Sequence, residues 1–224
     1  MALTKYNFNS FDVTSAASKA LGFNANANGF TTISPGSMTL IKTITASSDS
    51  TVSFVNGSSD VVLDSTYPIY LIKIINAHLD LDDRSLNLNF TTDGTNFNVT
   101  KTTTFFRATL GENGSNQSFD YRTNADLAQS TGDQILGEAQ SGGSGNADAN
   151  ICVNLLIFNP SSTTFVKHFM ATTQGVAQSS LSENCFTAGY CNTTSAITGF
   201  QFDTGGGSAT TIDGTFKLYG IKDS

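Results

Sequence analysis

Ser85-Leu-Asn-Leu-Asn-Phe90 places an apolar side chain at every second position. Side chains along a β-strand point alternately to opposite faces, so Leu86, Leu88 and Phe90 share one face and Ser85, Asn87 and Asn89 the other. The segment therefore reads as a strand with one dry and one wet face. Asp93-Gly94 then turns the chain.

The same period extends in both directions. Toward the N-terminus it appears in Met38-Thr-Leu-Ile-Lys-Thr-Ile-Thr45 and Thr51-Val-Ser-Phe-Val55, the latter closed by the hairpin signal Asn56-Gly57. Val61-Val-Leu63 reads as a short strand. Ile69-Tyr-Leu-Ile-Lys-Ile-Ile75 is β-branched and apolar on both parities, which predicts a central strand covered on both faces. Toward the C-terminus, strands are predicted in 103–110, 151–158, 163–170, 184–190, 196–202 and 211–221. Arg122-Thr-Asn-Ala-Asp-Leu-Ala-Gln-Ser130 is the one segment expected to form a short helix. Glu112 to Ser118 and Gln140 to Ala149 read as polar loops.

Roughly ten short strands joined by Gly, Asn and Ser turns specify an all-β, antiparallel, jelly-roll-like sandwich over residues 38–224. Residues 1–37 are different. They carry isolated apolar side chains in an Asn- and Ala-rich background, with Asp12 to Leu21 as a weak helical option. We expect an extended N-terminal arm that anchors to a partner through Phe8, Phe11, Val13, Leu21, Phe23 and Phe30. Packing along its own domain is the alternative.

Composition narrows the function. Only 13% of the 224 residues are charged, and the formal net charge is −7. Lys and Arg total 11 and are scattered singly, whereas a nucleic-acid binder gathers a basic face that displaces counterions. No nucleic-acid partner is expected. No run approaches the ~20 apolar residues that cross a bilayer, so no membrane insertion is expected either. The start, Met1 to Ser10, lacks a secretory apolar run, so synthesis is expected in the cytoplasm of the cell that makes the chain.

Chemistry-bearing motifs are sparse. There is no Gly-x-Ser-x-Gly, His-Glu-x-x-His or phosphate-cradling loop. His78 and His168 stand alone, and the chain is not expected to be an enzyme or to carry a cofactor. Asp80, Asp82 and Asp83 form the one candidate metal cluster, an oxygen-rich turn of the kind that holds Ca²⁺. It lacks the glycine and distal carboxylate of an EF-hand loop, and three solvated carboxylates are the plainer reading. Cys152, Cys185 and Cys191 are an odd number. On one strand, Cys185 and Cys191 would lie about 20 Å apart and are expected as free buried thiols, with a bend at Gly189 that brings them together as the alternative. Cys152, in an apolar strand, reads as a small buried hydrophobe. The absence of Trp weakens a sugar-stacking role, although the loops are rich in Asn, Asp and Thr.

Several whole segments carry a resemblance. They are Met38 to Ser48, Val61 to Tyr70, Thr102 to Arg107, Phe158 to Phe169, Ala188 to Ile197 and Gly214 to Gly220. Together they resemble a family of virion structural proteins encoded by marine tailed bacteriophages of the cyanophage and pelagiphage kind. The resemblance implies a tail or fibre component of the virion, with a capsid decoration (cement) protein as the alternative. It implies other virion proteins as partners and a symmetric homo-oligomer, a trimer or ring. A glycan-recognising receptor-binding module is the rival, and a polysaccharide-degrading enzyme a distant third. The resemblance supplies no catalytic or binding residues.

Overall fold

The computed structural model describes residues 20–23, 26, 29–33, 36–140, 149–177, 180–205 and 210–222. Among them are fourteen strands and no helix. The first five are β1 (Ala20–Phe23), β2 (Phe30–Ile33), β3 (Met38–Asp49), β4 (Val52–Val55) and β5 (Ile69–Leu79). Then come β6 (Arg84–Thr91), β7 (Lys101–Gly111), β8 (Ser118–Tyr121), β9 (Gln134–Gln140) and β10 (Asn150–Phe158). The last four are β11 (Lys167–Ala177), β12 (Leu181–Cys191), β13 (Gly199–Asp203) and β14 (Ile212–Ile221). Contacts divide the chain into two compact units, Met1–Thr39 with Ser224, and Leu40–Asp223.

In the first unit β1 and β2 form an antiparallel hairpin, with Leu21 opposite Thr32 and Phe23 opposite Phe30. This part of the expected extended arm is therefore a paired ribbon. Phe8, Phe11, Val13 and the helical option at Asp12 lie outside the described residues, apart from its last two positions, which fall in β1.

The second unit is an antiparallel β-sandwich. Its larger sheet runs β3-β14-β5-β10-β11-β12-β7-β8, and its smaller sheet runs β9-β6-β13-β4. One register pair, Ala177 with Gln140, joins them at a corner. The alternating apolar residues of β6 and β13 meet those of β5, β10 and β14 in one core. Phe90 touches Phe169 and Phe202 touches Phe216 across the sheets, at 5.0 and 5.4 Å between ring centroids.

Four expectations need correction. The first concerns β5, which is central but covered on one face only: Tyr70, Ile72 and Ile74 are buried while Leu71, Lys73 and Ile75 are not. A bulge follows, with Asn76 at φ 51° and Gly214 of β14 at φ 136° beside it. The extra residue resets the alternation, so that Ile74 and Ala77 both point inward. Gly214 is needed there, because a Cβ would sit 2.9 Å from the Asn76 carbonyl oxygen.

The second concerns 122–130, which forms turns and no helix. Its backbone is bonded elsewhere: Arg122 N–H donates to Phe105 O, Leu127 O accepts from Thr103 N–H, and Ser130 exchanges both bonds with Lys101. The segment caps the part of the β7 edge that β8 leaves open. The third concerns Val61 and Leu63, which are buried but lie in a loop. The Asn56-Gly57 turn leads into that loop, since β4 pairs with β13.

The last concerns the thiols. Cys185 and Cys191 form no disulfide and are buried on one strand, but Cys152 is exposed beside Asn76. A thiol reagent is expected to titrate Cys152 in the native protein and the other two only after denaturation. Rapid native reaction of all three would contradict this placement.

Candidate functional site

The inner face of the larger sheet is spent on the core, and its outer face is uncovered within the described unit. Register places Leu71, Leu156, Met170 and Ala188 in one row across β5, β10, β11 and β12. The adjacent row continues to Phe186, Phe106 and Tyr121 on β12, β7 and β8. Phe106 stacks on Phe186 at 5.0 Å and meets Phe119 edge-on at 5.5 Å. Met170 is 54% exposed, Tyr121 51% and Phe119 73%. Isolated apolar residues on a surface are ordinary, but a contiguous apolar patch marks an interaction site.

The sheet curves enough to leave two open hollows that share Met170 and Ala188. One, of about 490 Å³, is lined by Leu71, Leu156, Phe106 and Phe186. The other, of about 470 Å³, is lined by Phe158, His168 and Tyr190. His168 leans on Tyr190 at 6.0 Å, so the sheet histidine of the sequence reading lies on this face. Lys73 and Lys217 are register neighbours at its β5–β14 side. The arrangement suits burial of apolar area against a partner, with aromatic side chains as anchors.

Beneath the sheet lies a different chemistry. Lys101, Cys191 and Lys167 form one inward row across β7, β12 and β11, and all three are buried. Burial pushes the Cys191 thiol up to about 12, partly offset by the two lysines. Burial also draws Lys101 down to about 8, against the attraction of Cys191 and Asp133. Toward the other end of the β7–β12 ladder, Arg107 Nη1 donates to Glu183 Oε2 at 2.9 Å, and the Glu183 side chain is 1% exposed.

The residues singled out in the sequence fall elsewhere. Asp80 accepts the Thr211 N–H at 2.7 Å, which ties the end of β5 to the start of β14. Asp82 and Asp83 lie in the following turn, and Asp83 adopts φ 59°. Among the described residues no group of three or more His, Cys, Asp or Glu is placed to hold a metal. Leu21, Phe23 and Phe30 lie on the hairpin, where Phe23 stacks on Phe30 at 5.2 Å and is 70% exposed.

Sequence reasoning missed the outer face. Its signal was present in Leu155-Leu156 and Ile157-Phe158, where both parities are apolar. In 69–75 the same kind of pattern predicts a strand covered on both faces, whereas in the described unit β5 is covered on one. No protein-family model, curated protein or solved structure matches the chain.

Proposed function

We propose that this chain is a non-enzymatic structural component of a tailed-phage virion, tail- or fibre-associated, that assembles through the outer face of its larger sheet. The contiguous apolar surface of Leu71, Leu156, Met170, Phe106 and Phe186 carries the reading. A surface of this kind is expensive to leave in water, and a symmetric assembly with further copies or other virion proteins removes it.

The strand order adds support. β3-β14-β5-β10 and β4-β13-β6-β9 face one another, with consecutive strands passing between the two sheets. We read this as a jelly-roll order, extended on one side by the β7–β8 and β11–β12 ribbons. Jelly rolls recur in viral capsid proteins and lectins. The segment resemblance to phage virion proteins points the same way. Capsid decoration would use the same face, and copy number per particle separates it from a tail position.

The test is a Leu156→Glu, Met170→Glu variant. It is expected to fold, to lose self-association by at least a factor of about ten, and to be left out of particles. Normal incorporation would overturn the assembly role of this face. Deleting residues 2–36 tests the arm separately and is expected to leave a folded domain that no longer enters particles.

One observation favours a second reading. Phe119 and Tyr121 stand exposed on the short β8 ribbon, and Tyr121 Oη donates to Asp126 Oδ2 at 2.6 Å, which fixes its ring. An immobilised ring beside carboxylates is a platform for a sugar. Binding to a glycan array that is lost in Tyr121→Ala would favour a receptor-binding module.

A further inference from the structure

Asn89 projects from the face of β6 opposite Leu88 and Phe90, where the Lys101 side chain of β7 reaches it, and both are essentially excluded from solvent. Lys101 Nζ lies 2.6 Å from Asn89 Oδ1, and its other bond is to Val99 O at 2.8 Å. A buried ammonium ordinarily lies against a carboxylate. Here both hydrogen-bonded acceptors are neutral. The carboxamide in turn is held on every side. Its Nδ2 donates to Asp133 Oδ1 at 2.7 Å and to Thr131 O at 3.1 Å. Its Oδ1 also accepts the Phe90 N–H at 2.9 Å.

These are the parts of an acyl-transfer site. An amine rests against a fixed carbonyl, a backbone N–H points at the oxygen where negative charge would develop, and a carboxylate is bonded to the leaving nitrogen. Burial disfavours the charged form of Lys101, which raises the share present as the neutral nucleophile. We propose that Lys101 and Asn89 join in an intramolecular isopeptide bond, with Asp133 as the proton carrier.

The step balances without any further reactant. The Nζ lone pair of the neutral amine attacks Asn89 Cγ, and the carbonyl electron pair moves onto Oδ1 beside the Phe90 N–H. One Nζ proton passes by way of the Asp133 carboxylate to Nδ2. The Cγ–Nδ2 bond then breaks, the carbonyl re-forms, and ammonia leaves. The product is a secondary amide between β6 of the smaller sheet and β7 of the larger one. It would latch the two layers of the sandwich covalently, in a chain whose described cysteines form no disulfide.

The experiment is mass spectrometry of the purified full chain. The intact wild type is expected to be one ammonia lighter than its sequence mass. Trypsin does not cut after an acylated lysine, so Ser85 to Arg107 is expected as a single peptide, lighter by one ammonia and uncut at Lys101. That location excludes succinimide formation at Asn56-Gly57, which lies in another tryptic peptide. Lys101→Arg and Asn89→Ala are expected at their sequence masses, and Asp133→Ala as a slowly converting mixture. A wild-type peptide cut normally after Lys101, at its full mass, would overturn the proposal and leave an ordinary hydrogen bond. The wild-type peptide decides the matter even if the variants fail to fold.

Discussion

Phe202→Ala is expected to lower the unfolding free energy of the sandwich by about 3–5 kcal/mol, the usual cost of emptying a buried phenylalanine site. Phe202 is fully buried on β13, the strand between β6 and β4 in the smaller sheet. Its ring meets Phe216 of the opposite sheet at 5.4 Å and Phe200 of its own strand at 6.2 Å. Collapse into the space is resisted on both sides. β13 is hydrogen-bonded to β4 along one edge and to β6 along the other, so its backbone cannot sink toward the gap. In a chain of this length, the loss corresponds to a melting-temperature drop on the order of 10 °C. The control is Phe165→Ala, where a ring that is 70% exposed is removed and the change should stay within about 0.5 kcal/mol. Denaturant midpoints at unchanged slope would check both. A Phe202→Ala loss below about 1 kcal/mol would mean that the two sheets do not pack there as described.

That core was legible because it depends on alternation alone. Leu86, Leu88 and Phe90 were assigned to one face from the sequence, and all three are buried. What could not be read depends on pairing between distant segments. β9, Gln134 to Gln140, has too few apolar residues to stand out, and it exists as a strand because β6 offers it an edge. Ser130 and Leu127 were given to a helix, yet the open edge of β7 takes up their backbone groups. Lys101 and Lys167 are among the singly scattered cations of the sequence, with nothing there to mark them as buried. Lys167 has the same parity as Phe169 and so turns inward with it, its aliphatic stem covering core surface while Nζ reaches Thr193 O. The outer face was hidden for the opposite reason. A strand apolar on both sides looks the same whether its second face is covered by its own chain or by a partner. For the same reason the candidate calcium turn and the arm were legible as composition but not as sites.

Arg107→Ala is expected to cost about 3 kcal/mol, because it removes a cation 2.9 Å from a carboxylate that has almost no access to water. Arg107 keeps 18% of its side chain exposed, which sets the effect toward the low end for a buried pair. Glu183 belongs to β12 and also accepts from Cys185 at 3.0 Å, so it cannot swing out to solvent without breaking that contact and the β11–β12–β7 register. The cost should therefore come mainly from the carboxylate left behind. Adding Glu183→Gln tests this, since an amide needs far less solvation than an ion. The double variant is expected to be clearly more stable than Arg107→Ala alone, and a double-mutant cycle should show strong coupling. Losses that simply add would show that the ion pair contributes nothing beyond its separate side chains. The consequence reaches the proposed assembly face, because Phe106 and Phe186 sit beside this pair on β7 and β12 and point the opposite way. If the strands loosen from within, the stacked rings on the outside lose their alignment. Arg107→Ala should then weaken self-association as well as stability, although Arg107 lies on the other side of the sheet from the proposed contact.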